Sequence, residues 1–208
     1  MPAYFSIVFE LNKSPTAIQD FCTALIKSGL TFKCGYRHYK QASFNDILKW
    51  NQNKLNHNFK LGFTEHYSHD FKQMEFTFSF FSEVRLFVMN ETESSSFCFH
   101  LIFPEDDLVE YIKCSDTHSP IKKTERMEVL KNLARSVWKK TELLSVQTAW
   151  ECSDIPPMVK DISETVTPQA EPFCIIPKPF AAQFHDLPFE IIDHNSVLIE
   201  EKDHWFYL

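Results

Sequence analysis

The chain has 208 residues, 44% of them hydrophobic and 24% charged, with a formal net charge of −7, which is ordinary for one soluble globular domain or one domain with an appendage. It holds only three glycines, Gly29, Gly35 and Gly62. A P-loop, a dinucleotide-binding fingerprint and a G-x-S-x-G elbow are therefore absent, because each needs glycine where backbone turns sharply or approaches a ligand.

Taken in chain order, Tyr4 to Glu10 reads as a short apolar strand. Ser14-Pro15 then offers an N-cap followed by proline at the first helical position. Ile18, Phe21, Cys22, Leu25 and Ile26 recur at the spacing of one helical stripe, and Gly29 supplies the stop. Thr31 to Tyr39 reads as a second strand. Ser43-x-x-Asp46 resembles a capping box at the head of a second helix through Ile47, Leu48 and Leu55.

Phe76, Phe78 and Phe80 alternate with polar residues at the period of a half-buried strand. Val84, Leu86 and Val88 form the next apolar face, and Phe97, Phe99, Leu101 and Phe103 a third. Short connections predict three consecutive antiparallel strands whose phenylalanine faces need a cover of helices. Thr124 caps a third predicted helix with the stripe Met127, Leu130, Leu133, Ala134, Val137 and Trp138, and Val146 to Glu151 returns as a strand.

Composition changes near Ser153. Seven of the eleven prolines lie between Pro156 and Pro188, a density that blocks helices and central strands. Within this stretch Phe173 to Ile176 and Val197 to Glu200 read as short strands, with Trp205 to Leu208 closing the chain. The expected architecture is α+β: a mostly antiparallel sheet with about three helices on one face in a body of residues 1–152. A proline-rich, extended, acidic arm of residues 153–208 docks on that body, completing a single structural unit.

The N-terminal residues lack the basic n-region and cleavage site of a signal peptide, and no apolar run approaches the ~18 residues of a membrane span, so a cytoplasmic protein is expected. The six cysteines form no C-x-x-C pair, and reduced, structural thiols are expected. Charge is uneven. Residues 141–208 hold 12 acids and three lysines, a net of −9, a field that repels nucleic acid and anionic membrane and attracts a basic partner.

Candidate chemistry is sparse. His66, His69 and Asp70, with His57 in reach, have ligand types suited to a transition metal but lack the H-E-x-x-H order, and a polar loop is the simpler expectation. His185-Asp186, Asp193-His194 and Asp203-His204 are neighbours that point to opposite faces of a strand. Cys34 stands close to Arg37 and His38, cations that lower a thiol pKa. Lys122, Lys123 and Arg126 form a small basic patch without interleaved aromatics, so no nucleic-acid partner is expected.

Two functional expectations follow. The first is a non-enzymatic protein-binding module, an acidic inhibitor of the toxin-immunity kind that neutralises a basic protein partner, with no cofactor and no membrane partner. Glu190, Asp193, Glu200, Glu201 and Asp203 form its binding surface, and Trp205 its aromatic anchor. The alternative is a metal-dependent enzyme built on His66, His69 and Asp70, or a thiol enzyme built on Cys34.

Overall fold

The computed structural model describes residues 3–62, 72–114, 117–151, 153–184 and 187–201, with backbone alone over 111–122. Its strands are β1 (Tyr4–Asn12), β2 (Thr31–Gly35), β3 (Met74–Thr77), β4 (Val84–Met89), β5 (Ser96–Pro104), β6 (Val109–Cys114), β7 (Thr117–Lys122), β8 (Ser145–Trp150), β9 (Phe173–Pro177), β10 (Phe189–Ile191) and β11 (Ser196–Glu200). Among the described residues the α-helices are α1 (Ala17–Lys27), α2 (Phe44–Asn56) and α3 (Thr124–Trp138). Nine strands form one antiparallel sheet in the order β10-β11-β9-β8-β1-β5-β4-β3-β2, while β6 and β7 make a separate hairpin. The protein is α+β.

Alternation along β1 explains the layering. Phe5, Ile7, Phe9 and Leu11 point to one face, where they meet Phe97, Phe99, Leu101 and Phe103 of β5 and the apolar stripes of α1, α2 and α3. Phe21 of α1 stacks on Phe99 with ring centroids 4.2 Å apart, and meets Phe9 edge-on at 5.1 Å. The opposite face of β1 carries Val8 and Glu10, and the chain from Ile155 to Asp161 crosses it.

Several local expectations shift. Helix α1 begins at Ala17, two residues after Pro15, with Thr16 as N-cap. The Ile18 amide of its first turn donates to Gln52 Oε1 of α2 (2.9 Å), a tertiary contact that replaces a local serine cap. Ser43 caps α2 as predicted: its Oγ accepts from the Asp46 amide at 3.2 Å. Strand β2 ends at Gly35 and gives way to a short 3-10 turn, with Arg37 in the left-handed region at φ 50°. Strand β3 stops at Thr77, because Ser79 takes φ 50° and turns Phe80 out to where the Arg126 guanidinium lies 4.8 Å above its ring.

The arm joins the same sheet. Strand β9 pairs with β8, β11 with β9, and β10, a strand the proline density hid, closes that edge. On the face away from α3, Cys174, Ile176, Val197 and Ile199 form a second small core with Ala170, covered by Phe180, Phe184 and Leu187.

Candidate functional site

Antiparallel register decides which way each acidic side chain of the arm points. Glu190 is paired with Leu198, and Glu200 with Phe173, so both lie on the helix face of the sheet. There they meet α3. Arg135 Nη2 donates to Glu190 Oε2 at 2.5 Å, and Lys131 Nζ to Glu200 Oε2 at 2.9 Å. Trp138 Nε1 donates to Asp193 Oδ2 at 2.8 Å. Lys131, Arg135 and Trp138 follow one another at helical spacing, so three predicted binding carboxylates fasten the arm along one line of α3.

Hydrogen bonds from Ser196 and Trp138 hold the Asp193 carboxyl down to about 2. The Glu201 amide donates to the carbonyl of Pro172 at 2.8 Å, continuing the sheet. Asp203 and Trp205 lie outside the described residues. The sequence showed the carboxylates but not their partners. The available signal was Lys131 and Arg135 interleaved with the apolar stripe of α3, which a charge count treats as solvated surface.

The arm also carries the three most exposed large apolar side chains among the described residues: Ile155 at 68%, Ile191 at 63% and Phe189 at 59%. Phe189 and Ile191 flank Glu190 on β10, point away from α3, and sit on an edge whose outer side pairs with no strand among the described residues.

Beneath the crossing segment lies a second polar centre. Glu10 is buried on β1. Its Oε1 accepts from Ser96 Oγ (2.8 Å), and its Oε2 from the Val159 amide (2.8 Å) and Ser145 Oγ (3.2 Å). Gln147, one strand over, donates to the Pro157 carbonyl at 2.7 Å and accepts from the Gln169 amide at 2.8 Å. Beside this centre a cavity of about 230 Å³ is walled by Val8, Met89, Cys98, His100, Pro157 and Met158. Burial pushes the Cys98 thiol up and the His100 imidazole down to about 4, so both groups are neutral at pH 7.

The expectation that nearby cations lower the Cys34 pKa is corrected by its surroundings. Its pKa is raised, first by burial and then by Glu75, whose Oε2 lies 3.4 Å from Sγ. Lys33, a cation that would lower it, is drawn to the same carboxylate at 3.2 Å. The Lys123 and Arg126 patch is likewise occupied: Lys123 Nζ donates to the Asp106 carbonyl and Arg126 Nη1 to Asp107. His66, His69 and Asp70 lie outside the described residues, as do His185-Asp186 and Asp203-His204. Among the described residues, no group of three or more His, Cys, Asp or Glu is placed to hold a metal, and no helix is long and apolar enough to cross a membrane.

These features define an α+β protein with one acidic, apolar-studded sheet edge. No protein-family model, curated protein or solved structure gives a significant match to the chain.

Proposed function

We propose that the chain is a cytoplasmic, non-enzymatic protein-binding module that neutralises a basic partner, as an inhibitor or immunity-type protein does. The observation that carries this reading is the coincidence of Phe189, Ile191 and Ile155, the most exposed large apolar side chains, with the segment of net charge −9. Exposed apolar anchors in a charged surround are the usual makeup of an interaction surface. A basic partner is steered by the field and held by the anchors, and the outer backbone of β10, unpaired among the described residues, can accept a strand from it. Glu190 contributes at that edge, since its side chain stays half exposed while bonded to Arg135.

The test is capture from the source lysate by the tagged chain beside Phe189→Ser/Ile191→Ser, with the captured protein then purified and titrated calorimetrically. A basic protein bound by the wild type, released by salt and weakened at least tenfold by the double variant supports the reading. Equal binding by both chains, or a captured partner that is acidic, overturns it.

A further inference from the structure

At the other edge of the sheet, chemistry of the opposite sign is assembled. Helix α2 sits over β2, with Phe44 packed 4.9 Å from Phe32. Residues 37–60 contain Arg37, Lys40, Lys49, Lys54 and Lys60 against the single acid Asp46, a net of +4. Trp50 and Lys54 are four apart on one side of α2. After α2 the chain reverses through Asn58, in the left-handed region at φ 54°, and the Phe59 amide bonds back to the Lys54 carbonyl at 3.1 Å. That reversal lays Phe59 under Lys54. Buried Asn51 bonds both backbone groups of residue 72, each at 3.0 Å, which fixes Lys72 beside the helix.

The result is an alternating ladder, Phe59–Lys54–Trp50–Lys72–Tyr39. Lys54 Nζ stands 4.1 Å from the Phe59 ring centroid and 5.3 Å from that of Trp50. Lys72 Nζ stands 4.3 Å from Trp50 and 4.9 Å from Tyr39. Trp50 is 41% exposed and Phe59 48%. Eight interstrand spacings of ~4.8 Å put this edge roughly 38 Å from β10, several Debye lengths away, so Glu190 on β10 does not cancel its potential.

We infer that this ladder binds single-stranded nucleic acid, with bases stacking on Trp50 and Phe59 and phosphates meeting Lys54 and Lys72. Rings alternating with cations match the repeat of a single strand, whose bases and phosphates alternate in the same way. An acidic peptide has use for the lysines but not for the rings. This departs from the expectation drawn from net charge, and it stands apart from the protein-binding reading of the arm.

The experiment is fluorescence anisotropy of labelled dT20 against the full chain at 50 mM salt, repeated at rising salt. Binding is expected. Trp50→Ala should weaken it about 5- to 150-fold, the loss of one stacked base. Lys54→Gln/Lys72→Gln should weaken it and make the log-affinity against log-salt slope shallower by about 1.4, two phosphate contacts at ~0.7 each. Trp50 is exposed and Lys54 and Lys72 are half-buried, and circular dichroism checks that the variants fold. Absence of binding at 50 mM salt overturns the inference, as does binding that neither variant alters. So does equal displacement of dT20 by duplex of the same length, by dTMP at equal nucleotide concentration, by polyglutamate or by anionic vesicles, each of which would assign the surface to a different ligand.

Discussion

Glu10 is the place where a single atom change separates two accounts of how the arm is held. Its carboxylate is 1% exposed and receives three donors, of which only the Val159 amide comes from the arm. Glu10→Ala strands that amide, at about 1–3 kcal/mol, while the Ser96 and Ser145 hydroxyls rotate to other acceptors. Adding the cavity left by the lost side chain, a total near 3 kcal/mol is expected. Glu10→Gln keeps the shape. Its carbonyl oxygen can accept from Val159 and Ser145 while its amide donates to Ser96 Oγ, so only the charge assistance is lost, about 1 kcal/mol. Urea unfolding reads both values as shifts in midpoint at constant slope, and hydrogen exchange at the Val159 amide reads the local effect. A Gln variant as unstable as the Ala variant would refute the acceptor account, and so would an Ala variant whose Val159 amide stays fully protected.

Other consequences follow from the clamp and the cavity. Lys131 is 4% exposed, whereas its partners Glu128 and Glu200 are 48% and 26% exposed, so the burial cost falls on the ammonium. Lys131→Met should therefore cost under about 1 kcal/mol, and Glu128→Gln/Glu200→Gln about 2–3 kcal/mol, in urea unfolding; the reverse order would refute this. The folded His100 pKa lies below its ordinary 6.5, at about 4, so the unfolded chain takes the proton first. Its contribution is complete above pH 6.5 and declines as pH falls toward 4, and His100→Gln should remove that decline; parallel curves for the two proteins would refute it. The Asp193 pKa is depressed, so its contribution is present above about 3.8 and lost as pH falls through about 2. Trp138→Phe should raise that pKa in a carboxyl NMR titration, and an unmoved titration would mean the indole bond is not formed in solution.

Much of the fold was legible where one period dominates. The apolar alternation of β4 and β5, the stripe of α3 and the Ser43 cap all act within a few residues, which a linear reading can see. What it missed depends on residues far apart. Strand β10 is three residues long and exists because β11 offers it a register. Helix α1 starts late because Gln52, more than thirty residues on, satisfies its first turn. The ladder at Trp50 joins residues 39, 50, 54, 59 and 72, and no window that tests for interleaved aromatics spans them. The carboxylates Glu190, Asp193 and Glu200 were visible as charge, but direction within a sheet is set by pairing, and pairing is not written in composition.

That direction changes what an acidic tail implies. A carboxylate turned onto α3 gives less to a partner than its formal charge suggests, because Lys131 and Arg135 already compensate it. Neutralising Glu190, Asp193 and Glu200 together would loosen the arm as well as weaken its field, so lost binding in that variant would confuse docking with recognition. Phe189 and Ile191 are free of this ambiguity: they point away from α3 and take no part in either core. A binding loss on their replacement, with the urea midpoint unchanged, therefore belongs to the interface. The same logic holds at the opposite edge, where Trp50 and Phe59 are exposed while buried Asn51 holds the local backbone. At both ends the fold spends its buried polar groups on position and leaves its exposed rings and apolar side chains for contact, and recognition is best tested on the latter.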